Sequence, residues 1–292
     1  MAKALITGHE GFIGSHFARY LRDRDWEVFG CDIKSGQDCR DRFKHDDTQY
    51  DLVIHCAAIV GGRLTIDNEP LMVATDLAID AEMFNWALRT KQKRVVYFSS
   101  SAAYPVVFQA PNVIFDLKED HIQFDDLGRP DMTYGWAKLT GEFLASFANN
   151  EGLPVHVFRP FSGYGTDQAL DYPFPSLIER VKNQEDPFEI WGGSQSRDFI
   201  HVDDIVGLVM TAVNRDVRGP INLCTGRATD FVTLAQTMFR VAGWNPSALH
   251  LRSDMPTGVH RRVGDPYLMN KLLGKPHVSL EEGIERALNG QN

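Results

Sequence analysis

The sequence has few cysteines, no long hydrophobic run and no excess of positive charge. Its four cysteines are scattered, without a C-x-x-C pair or a cysteine–histidine ligand spacing, so neither a disulfide framework nor a zinc site is indicated. No apolar run approaches the length that spans a bilayer, and the first one is too short for a signal peptide. We therefore expect a cytoplasmic protein without a bound metal or a membrane partner.

Charge and composition narrow the class of protein further. The net charge of −9 argues against a nucleic-acid partner, which would require a basic surface to neutralise phosphates. The 292 residues, 43% of them hydrophobic and 24% charged, suffice for one large globular domain or two smaller ones. These values favour chemistry on small molecules.

A turn with three regularly spaced glycines follows the first apolar run, which ends at Thr7. The glycines are Gly8, Gly11 and Gly14, and a segment with helical periodicity begins directly behind them. Glycine accepts positive φ and has no Cβ to hold a ligand away, and a helix N-terminus favours a phosphate. The turn predicts a dinucleotide site, although an ordinary strand-to-helix turn can show the same spacing.

The second predicted strand indicates which dinucleotide binds. It covers residues 27–31 and is followed by Asp32, eighteen residues beyond Gly14. An acid at this point accepts the ribose hydroxyls of NAD and repels the 2′-phosphate of NADP. We predict NAD, while a solvated loop aspartate is the alternative reading of Asp32 and the nearby Lys34 leaves NADP open.

Strand and helix patterns alternate through the first half of the chain. This alternation predicts a parallel sheet with helices on both faces and ligands beyond the carboxyl ends of its strands. After Gly165 the predicted strands become shorter, and Pro and Gly become more frequent. We expect a dinucleotide-binding domain at 1–164 and a smaller substrate domain at 165–292, with 197–223 packing back onto the first. The other predicted elements are strands at 51–58, 94–98 and 154–159 and helices at 73–88, 202–213 and 231–241.

Tyr134 and Lys138 stand four residues apart on a predicted helix, so both side chains emerge on one face. A nearby ammonium favours the phenolate and lowers the pKa of the tyrosine, which can then accept a proton from an alcohol. Ser100 follows the fourth predicted strand and would hydrogen-bond the same alcohol oxygen. A surface tyrosine and a solvated lysine are the alternative, but the preceding motifs favour a proton-transfer site.

These motifs resemble those of the extended short-chain dehydrogenase/reductases that modify nucleotide sugars. The resemblance implies a Rossmann-type doubly wound parallel sheet with a smaller mixed α/β C-terminal substrate domain. It also implies a homodimer, formed through a four-helix interface by the helices at about 73–88 and 134–149. The matching segments occur in family order at 7–14, 55–58, 98–101, 134–138, 159–161 and 197–204 and cover most of the chain.

The resemblance implies that tightly held NAD oxidises a sugar hydroxyl, usually at C4. Tyr134 would be the base, Ser100 or Ser101 its hydrogen-bond partner, and Lys138 both a tuner of the tyrosine pKa and a ribose ligand. Return of the hydride to the opposite face of the keto-sugar would give the C4 epimer. The implied cofactor contacts are Gly8, Gly11, Phe12, Ile13, Gly14, Asp32, Asp38, Cys39, Ala57, Ala58, Ser99, Tyr134, Lys138 and Pro160.

Departures from the relatives narrow the reaction. Dehydratases and decarboxylases of this family usually carry an acid where this chain has Ala102, and the members that epimerise C3 and C5 carry a cysteine there. Gly61-Gly62 and Tyr104-Pro105 resemble the GDP-sugar members, so a GDP-sugar substrate is compatible with these motifs. Two positions that usually hold asparagine are Ser162 and Asp76 in this chain.

The resemblance also implies a nucleotide-diphosphate sugar as the substrate. Arg197 matches an arginine that binds the diphosphate, with an ion pair to Asp198 or Asp203 as the alternative, and a guanidinium suits this task. Arg261 or Arg262 would supply a second phosphate contact. The implied substrate contacts are Gly61, Gly62, Ser101, Ala102, Ser162, Arg197 and Arg261, and Arg63 is a weaker candidate for the sugar.

The leading hypothesis is an NAD-dependent nucleotide-sugar 4-epimerase. A 4-keto-sugar nucleotide reductase that uses NAD(P)H is the first alternative, because it needs the same residues. A non-catalytic NAD-binding scaffold or sensor is the second. Among residues without a chemical role, we expect Phe84, Trp86 and Phe143 in the core and the acidic run 116–120 in solvent.

Overall fold

A computed structural model describes residues 1–61 and 63–291 of the chain. Its helices are α1 (Phe12–Arg22), α2 (Cys39–His45), α3 (Arg63–Asn68), α4 (Pro70–Val73), α5 (Thr75–Arg89), α6 (Met132–Asn150), α7 (Pro173–Lys182), α8 (Val202–Asn214), α9 (Phe231–Ala242), α10 (Tyr267–Leu272) and α11 (Leu280–Leu288). Its strands are β1 (Lys3–Thr7), β2 (Glu27–Cys31), β3 (Leu52–His55), β4 (Val95–Phe98), β5 (Val155–Pro160), β6 (Ser162–Tyr164), β7 (Phe188–Trp191), β8 (Ser196–Arg197), β9 (Phe199–His201), β10 (Ile221–Leu223), β11 (Thr229–Asp230), β12 (Leu249–Arg252) and β13 (Arg261–Arg262).

The central element is a parallel sheet of six strands in the order β10-β5-β4-β3-β1-β2. Its inner strands β3 and β4 are buried at every residue, as expected for a sheet covered on both faces. Side chains of α1 and α8 pack on one face, and side chains of α2, α5 and α6 pack on the other. The predicted parallel α/β sheet is confirmed.

The later part of the chain contributes to the main sheet and also forms a separate core. Strand β10 pairs with β5, and α8 packs on the sheet beside α1. Helices α7, α9 and α11 surround a different apolar cluster that includes Phe188 and Ile190 of β7. Three short strands form a small sheet in the order β11-β8-β13, which brings Arg197 opposite Arg262.

Two expectations about surface and core are wrong. Phe84 and Trp86 are buried, but Phe143 is 43% exposed, because α6 turns it away from the sheet toward Phe124 and Phe147. The acidic run is not simply solvated either. Leu117 is buried within it, and the Glu119 carboxylate accepts a hydrogen bond from the Asn222 N–H at 2.9 Å.

No helix within residues 1–61 and 63–291 is long and apolar enough to cross a membrane.

Candidate active site

The glycine turn leaves no room for side chains at its first and last glycines. Gly8 has φ +70°, and a Cβ there would lie 2.8 Å from the backbone nitrogen of Ala57 at the end of β3. A Cβ on Gly14 would overlap the carbonyl oxygen of Gly8. Since Gly11 is the N-cap of α1, the turn brings backbone N–H groups to the end of a helix, where a pyrophosphate is favoured. Phe12, Ile13 and Gly14 form the first turn of that helix.

Asp32 is held rigidly at the end of β2 and is only 6% exposed. Its carboxylate accepts hydrogen bonds from the backbone N–H groups of Glu10 and Lys34, both at 2.9 Å. The Lys34 ammonium donates to the Glu10 carbonyl at 3.0 Å. Asp32 is therefore a fixed acid beside the glycine turn and not a solvated loop residue. The N–H groups at the start of α1 fit the pyrophosphate of NAD, and the Asp32 carboxylate fits its ribose hydroxyls.

The other implied cofactor contacts lie in the loops after β2 and at the carboxyl ends of three further strands. Asp38 caps α2 and binds the Arg40 guanidinium, and Cys39, which follows it, is buried. The Ala57 N–H donates to the Thr7 hydroxyl at 3.2 Å, and Ala58 follows it. Ser99 follows β4 and donates to Glu142, and Pro160 is the last residue of β5.

Helix α6 brings Tyr134 to Ser100. The Ser100 hydroxyl accepts from the Ala102 N–H at 3.1 Å and forms a hydrogen bond with Tyr134 that lowers the tyrosine pKa, although burial raises it more. The close approach of α6 to the turn after β4 depends on Gly135, because a Cβ there would overlap the Ala102 carbonyl oxygen. The sequence left open whether Ser100 or Ser101 contacts the tyrosine. In the structure, Ser100 forms the hydrogen bond with Tyr134.

Lys138 lies behind the tyrosine and is only 4% exposed. Its Nζ is 5.9 Å from the ring centroid of Tyr134 and 5.5 Å from that of Tyr97. Burial would lower the pKa of Lys138, but the neighbouring acids Asp80, Tyr134 and Asp76 raise it overall. The lysine therefore stays charged.

The net shift of the Tyr134 pKa is upward, although the Lys138 ammonium acts in the expected direction. Burial raises the pKa of Tyr134 above its ordinary value, and the opposing effect of the Lys138 ammonium is smaller. The carboxylates of Asp76 and Asp80 also raise it. A phenolate therefore needs further positive charge or a hydrogen-bond donor in the cleft.

Asp80 belongs to this site although sequence reasoning missed it. It is 1% exposed and accepts hydrogen bonds from the Tyr97 hydroxyl at 2.5 Å and, on its other oxygen, from His55 Nε2 at 3.2 Å. The ring of His55 reaches Thr7 through Nδ1 at 2.8 Å. The available signal was the spacing of Asp76 and Asp80, which share one face of α5.

The structure places the implied sugar contacts around the same strand ends. Ser101 and Ala102 are buried in a 3-10 turn after Ser100, and Ser162 begins β6. Gly61 precedes α3, while Gly62 and the side chain of Arg63 lie outside the described part of the chain.

Two arginines lie side by side on the small sheet. Arg197 and Arg262 are register partners in a parallel pair, so their side chains point to one face, and Arg261 points to the other. Arg197 donates to the Thr257 carbonyl at 3.0 Å, and Arg262 binds Asp131 at 2.7 Å. Arg261 instead binds Asp116 at 2.6 Å.

A cavity of about 530 Å³ opens beside this arginine pair. Thr257, the acceptor of Arg197, lines it, and so does Gln109, which accepts from Arg262 at 2.6 Å. Its walls come from the segments around 106–111, 192–195 and 253–260. The volume is in the range of small-ligand sites.

A sheet of this topology, with a half-buried tyrosine and a buried lysine at its strand ends, fits an enzyme that transfers hydride to a dinucleotide while the protein moves a proton. The sequence shows which family of such enzymes this is. A model of the NAD dependent epimerase/dehydratase family matches residues 4–224, so the chain belongs to that family and its cofactor is NAD. It is an enzyme of this family.

Curated relatives cover nearly the whole chain. A dTDP-4-dehydro-6-deoxy-D-allose reductase from a Streptomyces species is 26% identical over 96% of this chain and 93% of the relative. A GDP-mannose 3,5-epimerase from Arabidopsis thaliana is 27% identical over 97% of this chain and 80% of the relative.

Solved structures match over a similar extent. The protein MoeE5, in complex with UDP-glucose and NAD, is 27% identical with a TM-score of 0.82 over 99% of this chain and 98% of that chain. A UDP-glucose 4-epimerase from Thermotoga maritima has a TM-score of 0.84 at 24% identity over 99% and 98% of the two chains, which supports the fold alone.

Proposed function

We propose that the protein is an NAD-dependent nucleotide-sugar 4-epimerase, an isomerase that works by transient oxidation at C4. The observation that carries this proposal is the set of Ser100, Tyr134 and Lys138 beyond the carboxyl end of β4, with the inert Ala102 next to Ser100. No acid or thiol from position 102 is available there for elimination or for removal of a carbon-bound proton.

The side chains have distinct tasks in this reaction. Tyr134 accepts the proton of the C4 hydroxyl and later returns it, and Ser100 hydrogen-bonds the same oxygen. Lys138 supplies the positive charge that opposes the effect of burial on the tyrosine pKa. The glycine turn and Asp32 would hold NAD, which would supply the hydride acceptor and donor that oxidation and reduction at C4 require.

Arg197 and Arg262 are the proposed contacts of the diphosphate. They share one face of the small sheet, and paired guanidiniums suit two phosphates. The cavity beside them would take the nucleoside. Gly61 and the Tyr104-Pro105 pair make GDP-sugars the first substrates to test, with Ser101 and Ser162 near the sugar.

The decisive experiment supplies no cofactor. Purified protein is incubated with GDP-, UDP- and dTDP-sugars, and the sugar proton signals are followed by NMR. We expect a C4 epimer of at least one sugar, and Tyr134→Phe should lose activity about 100-fold or more while keeping NAD. If no C4 epimer forms from any sugar, the proposal fails.

A 4-keto-sugar nucleotide reductase is the second candidate, favoured by the match to the Streptomyces reductase over nearly the full length of both chains. It would use the same Ser100, Tyr134 and Lys138. Product that forms only with stoichiometric NADH or NADPH, from a 4-keto-sugar nucleotide, would identify it.

We further infer a cytoplasmic homodimer. The four free cysteines suit a reducing compartment. Aromatic side chains remain exposed on the outer face of α6, at Trp136, Phe143 and Phe147, and a second copy of the chain would cover them.

A further inference from the structure

The charges buried beside Lys138 do not balance. Asp76 and Asp80 are 0% and 1% exposed and lie one turn apart on α5, and both act electrostatically on the single ammonium of Lys138. Burying a charge without a partner is unfavourable. This pocket therefore holds one carboxylate more than its own cation can neutralise.

Hydrogen bonds show which carboxylate is the surplus one. Asp80 has acceptor bonds on both oxygens, from Tyr97 and His55. Asp76 accepts from the Ile59 N–H at 2.6 Å through Oδ1, but its buried Oδ2 has no hydrogen-bond partner among the described side chains, which exclude those of residues 62–65 and 292. Asp80 is thus satisfied on both oxygens. The Lys138 ammonium acts on Asp76 as well as on Asp80, and one ammonium cannot offset two carboxylates, so Asp76 is the surplus one.

The location of Asp76 connects it with the reacting end of the cofactor. Ile59, which donates to it, directly follows the predicted cofactor contacts Ala57 and Ala58. Its carboxylate also raises the pKa of Tyr134, although burial contributes more. A nicotinamide ring that exchanges hydride with an alcohol on Tyr134 must come close to this same group.

We propose that Asp76 makes the site discriminate between the redox forms of its cofactor, favouring NAD⁺ over NADH. The oxidised nicotinamide carries a positive charge and the reduced one is neutral, so only the oxidised form offsets the surplus carboxylate. The proposal concerns binding and holds for an epimerase or a reductase. Such a preference suits an enzyme that begins and ends its cycle with NAD⁺.

The discrimination should depend on pH. Burial raises the pKa of Asp76 to about 6, against smaller lowering by Lys138 and the Ile59 N–H and a further raising by Asp80. Four neighbouring groups, which are Cys56, Tyr134, Lys138 and Asp80, keep one charge state between pH 5 and 8. Burial raises the pKa of Cys56 and Tyr134, so both stay neutral, while Lys138 stays charged. Burial would raise the pKa of Asp80, but Lys138 and His55 lower it overall, and Asp80 stays ionised.

The experiment measures dissociation constants of NAD⁺ and NADH separately by calorimetry, on cofactor-free protein without sugar nucleotide, from pH 5 to 8. The ratio of the NADH to the NAD⁺ constant should rise about tenfold through pH 6, as one unit charge near another can produce. In Asp76→Asn the ratio should stay flat and about tenfold lower at pH 8. The amide oxygen can still accept from Ile59, which favours correct folding.

A matched control separates this effect from a general loss of affinity. Asp38 is an implied cofactor contact in the loop after β2, the strand that precedes Asp32, so Asp38→Asn should weaken binding of both redox forms and leave the ratio of their constants unchanged. The proposal is overturned if the wild-type ratio does not change with pH. It is also overturned if the step survives in Asp76→Asn. Failure to find an epimer would leave this result intact.

Discussion

At the scale of single residues, the buried carboxylate of Asp76 lowers the stability of the fold when it ionises. Its pKa is 3.8 in the unfolded chain and about 6 in the fold, chiefly because of burial. Below pH 4 both states carry the proton. Between pH 4 and 6 the unfolded state releases it while the folded state keeps it, so the free energy of unfolding falls as pH rises.

Asp76→Asn should remove this fall. The variant should gain about 2 kcal/mol over the wild type between pH 4 and pH 7, since about two pKa units separate the folded and unfolded values. Urea unfolding of the cofactor-free proteins across this range measures the difference. A difference that is the same at pH 4 and pH 7 would contradict the assignment.

The two adjacent arginines provide a second residue-scale prediction. Arg262 shares a face with Arg197, while Arg261 points away and binds Asp116. Arg262→Ala should weaken binding of GDP, UDP or dTDP about tenfold or more, because charged hydrogen bonds contribute roughly 1.5–3 kcal/mol. Arg261→Ala should change it less than about threefold. Calorimetry measures the dissociation constants of these nucleotides. A larger effect of Arg261→Ala than of Arg262→Ala would assign the diphosphate contact to Arg261.

At the scale of elements, α6 must lie unusually close to the turn after β4. A Cβ on Gly135 would overlap the Ala102 carbonyl and lie 3.0 Å from Pro130 Cβ. Gly135→Ala should therefore displace Tyr134 from Ser100, destabilise the protein by about 1–3 kcal/mol and reduce kcat more than substrate affinity.

A second helical glycine supplies the control for this change. Gly207 in α8 has nothing within 4 Å of a Cβ position, so Gly207→Ala should stabilise the protein by up to about 1 kcal/mol without affecting turnover. Urea unfolding and initial rates test both variants. If Gly135→Ala and Gly207→Ala were equally stable, the close packing of α6 against the turn after β4 would be refuted.

Local sequence patterns predicted most of the strands and helices of the sheet. Strand β2 begins and ends as predicted, and the motifs at the strand ends meet at one edge because parallel strands place their carboxyl ends together. Contacts between distant segments were not predictable from these patterns. The assignment of Arg262, and not Arg261, as the partner of Arg197 depends on the register of β8 with β13. The exposure of Phe143 depends on how α6 is rotated against α5. The net pKa of Tyr134 depends on the depth of burial, which spacing alone does not give.

At the scale of the whole molecule, the proposed homodimer would use the outer face of α6. Trp136, Phe143 and Phe147 recur at helical spacing and are 44%, 43% and 54% exposed, and the rings of the two phenylalanines are 4.9 Å apart. The neighbouring helix α5 adds Leu77, which is 38% exposed. Two α5–α6 pairs that meet on these faces would bury this apolar surface in a four-helix interface.

Charge on this face should therefore break the dimer. We expect sedimentation velocity at micromolar concentration to show a dimer for the wild type and a monomer for the double variant Phe143→Glu and Phe147→Glu. Tyr267→Glu, at a residue that is 66% exposed on α10, should remain dimeric. The same helix carries Tyr134 and Lys138, so the monomer should also unfold at a lower temperature and turn over more slowly. A monomeric wild type would refute the predicted interface, because the aromatic face of α6 would then remain exposed.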